Sequence, residues 1–411
     1  MDGATVPWTT VRLDEVCKVV NGGTPKSKVA EYWGGDVQWL TPKDMGQMTG
    51  REIGTTPRTI SDKGLQNSSA RLVPERSVIL STRAPIGHLA INTSPMAFNQ
   101  GCRGLVPGEG LDHLFLYYFL YANRALLEGL GSGTTFKELS STNLKSVRIP
   151  LPPLEEQQRI VAILDEACEG LSRARAHAEA NFQNARELFG NFASGLFDEI
   201  TTATSTITSQ VKELALAEKG SIRTGPFGSQ LRHSEFVDQG IAVLGIDNAV
   251  NNEFRWGKRR FITEDKYDAL RRYTVRPGDV IITIMGTCGR CAVIPDDIPV
   301  AINTKHLCCI TLDQGTCLPK YLHAYFLHSP KARSYLAAEA SGSVMDGLNM
   351  GIIKKLPVDL PSLDRQLEVV GRLNDLKRKA NALATSAEAK ISDLNDLRQS
   401  LLQKAFSGEL T

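Results

Sequence analysis

After Pro152-Pro153 the chain runs without proline to about Phe197, and its apolar residues recur every seven positions. One set holds Leu154, Val161, Cys168, Phe182, Phe189 and Leu196; a second, three residues on, holds Leu164, Leu171, Ala178, Ala185 and Phe192. This spacing predicts a long helix with a heptad seam. Proline just before the start suits a first turn, where a missing N–H is no loss, and Glu155 and Glu156 suit the helix dipole. A second seam follows Pro361: Leu363 and Val370, then Leu373, Ala380, Ala387, Leu394 and Leu401. At 1.5 Å per residue each helix should be roughly 60–65 Å long. Arg175, Lys377 and Arg398 interrupt the seams, so an antiparallel pair is expected rather than a fibre.

The segments preceding these helices have a different texture. Val78–Ser81 and Val280–Thr283 are short apolar runs among Gly and Pro and read as strands. Asp112–Leu127 and Pro319–Ala338 read as helices. Each segment is therefore a globular mixed α/β block.

The two halves are copies. Val78–Ile91 aligns without gaps with Val280–Val293 at an offset of 202. Ala97-Phe98-Asn99 matches Ala301-Ile302-Asn303 at 204, and Tyr118-Phe119-Leu120 matches Tyr325-Phe326-Leu327 at 207. Ser132-Gly133 with Ser341-Gly342, Leu139 with Leu348, and Leu151–Gln157 with Leu360–Gln366 all hold 209. Ser194-Gly195 matches Ser407-Gly408 at 213, which predicts a four-residue stutter in the second helix. The organisation expected is a globular domain at 1–150, a helix at 151–200, a second globular domain at 201–358 and a second helix at 359–411.

Charge sharpens this. The formal total is only +2, but it divides along those boundaries as +3, −5, +4 and 0. Basic blocks alternate with non-basic helices, which excludes a uniformly basic coat and an acidic disordered chain. Two globular blocks on a helical ruler suit a ligand with two patches at fixed separation, and duplex DNA offers them about 34 Å apart, one helical turn. No apolar run is long enough to span a membrane, and the N-terminus lacks a leader pattern. Eight scattered cysteines suit a reducing, cytoplasmic location.

Leu151–Glu166 (LPPLEEQQRIVAILDE), with SGTTFKELSSTNLKSVRIP before it and the partial copy SGSVMDGLNMGIIKKLPVDLPSLDRQ, resembles the specificity subunit of type I restriction–modification systems, the HsdS family. The second copy departs where Pro153 becomes Ser362 and Glu156 becomes Arg365. The resemblance implies two target-recognition domains reading a bipartite DNA site, one half-site each, with the helices setting the gap. It implies a non-catalytic chain without a cofactor of its own. Two methyltransferase subunits would dock on it and use S-adenosylmethionine, and a motor-nuclease subunit would use ATP and Mg. Exposed Glu155, Glu156, Arg159, Asp364 and Arg365 would help hold the methyltransferases.

DNA binding asks for cations on phosphates and bidentate donors on base edges. Candidates in the first block are Lys26, Lys28, Lys43, Arg83, Gln100, Arg103 and Lys137; His88 shares the Arg83 loop. In the second they are Arg223, Gln230, Arg232, Arg255, Lys258, Arg259, Arg260, Arg290 and Lys305, with Trp256–Arg260 the densest basic spot. Gln100 and Gln230 suit adenine; Arg83 and Arg103 suit guanine.

Two alternatives stay open: a self-contained adenine DNA methyltransferase, and a coiled-coil scaffold that binds no DNA. Against the first, there is no phosphate-loop motif, and Leu151–Leu154 has prolines but neither the polar group nor the aromatic that grips a flipped base. Cys288 and Cys291 form a CxxC near Cys308-Cys309, but the first copy has Ile86 and Leu89 there. Structural thiols are expected in place of zinc.

Overall fold

The computed structural model describes residues 8–83, 85–133, 137–203, 206–341 and 348–410. The extreme N-terminus read for a leader and most of the Ser341-Gly342 match lie outside them. The chain forms two compact units. The first holds residues 1–179 with 388–411, and the second holds 180–387, so each long helix contributes to both.

In the first unit five strands lie in the order Cys17–Asn21, Cys102–Pro107, Val78–Ser81, Leu89–Asn92 and Glu52–Ile53. The second unit repeats four of them in the same order: Ile222–Thr224, Leu307–Ile310, Val280–Thr283 and Cys291–Val293. Each unit adds a three-stranded sheet. Thr59–Ile60, Trp33–Leu40 and Ala97–Phe98 form the first, and Phe261–Ile262, Ile241–Leu244 and Ala301–Asn303 the second. In both, the central strand pairs antiparallel on one side and parallel on the other. A two-stranded ribbon joins the ends of each globular part: Thr9–Arg12 with Arg148–Leu151, and Ile207–Gln210 with Pro357–Leu360.

The central strands Val78–Ser81 and Val280–Thr283 are buried along their whole length. Such continuous apolar runs suit a strand covered on both faces. Val78 and Leu80 join the core beneath the helices, while Ile79 joins the core with Leu40 and Phe98 on the other face. Val280 and Ile282, against Ile281, divide the same way.

The long helices run Leu154–Thr202 and Leu363–Ser407. They pack antiparallel, the start of one beside the end of the other within each unit. In the first unit Leu402 and Ala405 share a core with Ile160, Val161 and Leu164. In the second, Ala193, Leu196 and Phe197 share one with Val369 and Leu373. The seam points inward as expected at Val161, Leu164, Ala178, Ala185 and Leu196, but Leu154 is 41% exposed.

Three expectations need correction. The helix expected over Asp112–Leu127 breaks at Asn123, whose side chain caps Phe119 O at 2.9 Å, giving His113–Ala122 and Arg124–Gly129. The one expected over Pro319–Ala338 divides at Ser329, because Pro330 has no N–H to donate and disfavours helix before it. The resulting helices are Pro319–His328 and Pro330–Ser341.

The helical repeat register also differs. Phe115 and Phe119 both contact the Phe406 ring, and Tyr321 and Tyr325 both contact Phe197. Phe115 therefore corresponds to Tyr321, an offset of 206 rather than 207. Phe197 corresponds to Phe406 at 209, the offset already set by Gln157 and Gln366. No stutter separates those points; the first helix simply runs four residues further at its end.

Candidate nucleic-acid interface

Each unit gathers its loops by the same close approach. A Cβ on Gly22 would lie 1.9 Å from Asn99 O, and one on Gly225 would lie 2.0 Å from Asn303 O. Only glycine lets these turns meet. In the first unit the contact brings Thr24 onto the 99–103 turn, where its hydroxyl donates to Gln100 Oε1. A Cβ on Gly101 would lie 3.4 Å from Pro42 and 3.7 Å from Arg83, so these segments adjoin as well. Gly46 sits beside His88 in the same way. His88 is partly buried, and burial lowers its pKa, with Arg124 adding to the effect.

This cluster contains most of the first-unit candidates. Lys26, Lys28, Lys43, Gln100 and Lys137 are exposed. Arg83 is 48% exposed and pairs with Glu138 at 3.1 Å. Arg103 departs from expectation: its side chain is only 12% exposed and reaches Glu138 at 3.6 Å. It donates to Gln100 O at 3.0 Å and Cys102 O at 2.9 Å. Its guanidinium holds the turn together and is not presented as a base reader. Sequence reading also missed Thr24 and Glu138, whose partners Gln100, Arg83 and Arg103 are remote in sequence.

The second unit gathers fewer of its candidates. Arg223 is a correction. Its guanidinium is buried, bonded to Asp279 Oδ2 at 2.6 Å, Thr311 Oγ1 at 2.9 Å and Thr274 O at 2.5 Å. A side chain so enclosed holds the sheet together and does not reach DNA. Gln230 is exposed, but its Oε1 already accepts from Phe227 N at 3.2 Å and Tyr273 Oη at 2.9 Å. Arg232 and Arg290 are exposed and Lys305 is half-buried. Lys305 and Arg260 add to the burial that lowers the His306 pKa, so these three groups are neighbours.

The basic run from Trp256 to Arg260 is partly engaged within the fold, while Lys258 and Arg259 remain exposed. Arg260 pairs with Asp247 at 2.9 Å, and Lys258 N donates to the same carboxylate at 2.7 Å. Arg259 lies over the Trp256 ring at 5.6 Å. Arg255 and Trp256 instead line a cavity of about 740 Å³ with Pro295, Leu318, Leu367 and Val370, beside the start of the second long helix.

The proposed docking residues lie where the long helices begin. Glu155 and Asp364 are exposed, and Glu156 approaches Arg159 at 3.7 Å. Arg365 pairs with Glu368 at 2.6 Å and Glu199 at 4.0 Å. Glu156 also borders a cleft of about 1000 Å³ with Trp8, Pro152, Pro153, Leu154 and Phe406. Cys291, Cys308, Cys309 and Cys317 are buried, and burial pushes the Cys308 and Cys317 thiols up to about 12. Among the described residues no group of three or more His, Cys, Asp or Glu could hold a metal ion. Among them, too, no helix is long and apolar enough to cross a membrane.

Two copies of one sheet-and-loop unit, each built on the ends of a long helical pair, define a duplicated α/β protein. The comparisons identify the lineage: residues 5–175 and 230–392 match the type I restriction modification DNA specificity domain, and the chain belongs to that family. It is 36% identical over 188 residues to the MjaIX specificity subunit of Methanocaldococcus jannaschii, covering 45% of this chain but only 43% of that protein. It is 26% identical to the EcoBI specificity subunit of Escherichia coli, over 78% of this chain and 70% of that one. The EcoKI specificity subunit of Escherichia coli K12 matches at 24% over 98% and 89% of the two chains. The fold is shared with a solved type I R-M system chain, at a TM-score of 0.75, 19% identity and 98% coverage of both. It is shared also with the HsdS subunit of Thermoanaerobacter tengcongensis, at a TM-score of 0.60, 18% identity and coverage of 98% and 97%.

Proposed function

We propose that this chain reads a two-part duplex DNA site for a type I restriction–modification assembly, one half-site per globular domain, with the long helices setting the gap. The observation that carries this reading is the duplicated loop cluster. The Gly22–Asn99 approach in one unit recurs as Gly225–Asn303 in the other, with exposed Lys26 and Lys28 following the first and half-buried Lys305 beside the second. Two equivalent readers on one chain suit two half-sites. Lys26, Lys28, Lys43, Lys137, Arg232, Arg290 and Lys305 would meet phosphates, while Arg83 and Gln100 would meet base edges.

The chain itself catalyses nothing in this proposal and needs no cofactor. Methyltransferase subunits, using S-adenosylmethionine, would dock on the helix starts around Glu155, Glu156, Arg159, Asp364 and Arg365. A restriction subunit would supply ATP- and Mg-dependent cleavage. Mapping methylated adenines in cells that carry the chain with its methyltransferase should return one split motif. Binding to that motif should weaken steeply with salt as counterions are released. Absence of sequence-selective binding with the methyltransferase present would overturn the DNA-reading role. Methyl transfer by the purified chain alone would overturn the non-catalytic one.

A further inference from the structure

The first unit carries a carboxylate where a DNA-reading surface would be expected to carry only cations. Glu138 Oε2 lies 3.1 Å from Arg83 Nε, and its Oε1 lies 3.6 Å from Arg103 Nη2. The three side chains form a graded column. Arg103 is 12% exposed, Glu138 37% and Arg83 48%. The column is anchored by main chain. Glu138 N donates to Ser132 O at 2.9 Å, and Leu139 N donates to Thr82 O at 2.8 Å, which ties the Glu138 segment to the Arg83 loop. Arg103 is fixed in turn by its bonds to Gln100 O and Cys102 O.

We propose that Glu138 is a positioning residue for specificity: held by Arg103 from the protein side, its carboxylate aims Arg83 at a base edge in the half-site read by the first domain. The proposal rests on the DNA-reading function above. An untethered arginine on a DNA face binds any phosphate, since that attraction carries no sequence information. Contact through Nε leaves the two terminal nitrogens to form the bidentate pair that a guanine O6/N7 edge accepts. The same carboxylate repels phosphate, so it opposes binding wherever the base contact does not form.

At the matched positions the sequence of the second unit lacks all three side chains. The positions matching Arg83 and Arg103 are Met285 and Cys308, the latter fully buried, and the position matching Glu138 is Gly347 in the sequence. The clamp should therefore shape one half-site and leave the other untouched.

The test is selection from a randomised duplex library by the full-length chain with methyltransferase subunits supplied, comparing wild type with Glu138→Gln. Wild type should select a two-part motif. E138Q should keep one half intact, lose about tenfold discrimination in the other, and bind scrambled duplex several-fold more tightly. The intact half reports that the variant is folded. Selection of both halves as in wild type would refute the clamp, and so would equal loss of both halves, which would mark Glu138 as merely structural. A wild-type chain that selects nothing would instead remove the DNA-reading function, and the clamp with it.

Discussion

The Gln157 side chain accepts a hydrogen bond from the main-chain N–H of Asp112 at 2.8 Å, binding the start of the first long helix to the start of helix His113–Ala122. Its Nε2 donates to Gly110 O at 2.9 Å and Pro152 O at 2.8 Å. Gln366 repeats all three bonds, accepting from Leu318 N at 2.9 Å and donating to Thr316 O and Pro361 O, both at 3.0 Å. Both glutamines are wholly buried. The glutamine that ends both Leu-Pro-x-Leu-x-x-Gln elements is thus a clasp between helix and globular domain.

Replacing Gln157 with Leu should strand three main-chain groups without partners. Each buried unsatisfied group costs about 1–3 kcal/mol, so a loss of about 3–5 kcal/mol is expected after partial relaxation. Denaturant unfolding read from hydrogen exchange in the first unit measures it. Gln366→Leu should give the same loss in the second unit. A neutral result for either would show that water replaces the clasp.

Arg223 and Asp279 make a buried pair found in one unit only. The matched positions in the first unit are Val20 and Ser77, with Val106 in place of Thr311. Removing one partner, as in Asp279→Ser, leaves an uncompensated buried charge and should cost about 3–5 kcal/mol. Installing the first unit's residues together, Arg223→Val with Asp279→Ser and Thr311→Val, should recover most of that loss. Urea midpoints of the single and triple variants decide the matter; a triple variant no better than the single would mean the pair itself supplies the stability.

Much of this architecture was legible in sequence because the features were local. Val78–Ser81 and Val280–Thr283 are strands as read, and both long helices begin just past their prolines. What failed was decided at a distance. Arg223 sits in a Gly-flanked segment that looks like a loop, and the Asp279 that buries it lies 56 residues away. Ser194-Gly195 and Ser407-Gly408 look alike, yet the residues that seat the helix ends are Phe197 and Phe406, each packed on a globular domain far from it in sequence. The basic run at Trp256–Arg260 read as one patch because charge density along the chain ignores that the Arg260 cation meets Asp247 while the Arg259 guanidinium lies over Trp256.

His328 supplies a pH dependence. Burial lowers its pKa from 6.5 to about 4, with Arg333, His323 and Lys377 contributing, and its Nδ1 is buried without a partner. Its folded pKa lies below the unfolded one, so between those values the unfolded chain binds more protons. Stability is therefore complete above about pH 6.5 and declines as pH falls towards about 4. The second unit should lose up to a few kcal/mol across that window. His328→Phe, which keeps a ring edge-to-face with Phe189, should flatten the decline in thermal melts taken from pH 7 to pH 4. An unchanged slope would assign the acid sensitivity to another group.

The cations divide into those that stand clear and those already engaged within the fold, and salt dependence separates them. Lys26 and Lys28 are exposed in the loop that the Gly22 approach brings to the reading surface. Each phosphate contact releases counterions, so Lys26→Gln or Lys28→Gln should lower the slope of log affinity against log salt by about one. The loss of affinity should be equal for cognate and scrambled duplex, because a phosphate contact reads no base. Arg255 lies in the basic run yet pairs with Glu253 at 3.4 Å and faces the cavity beside Leu367. Arg255→Gln should leave the slope unchanged. Fluorescence titrations at several salt concentrations make the comparison, and a slope that falls for Arg255→Gln but holds for both lysine variants would take phosphate contact away from the Lys26–Lys28 loop and give it to Arg255.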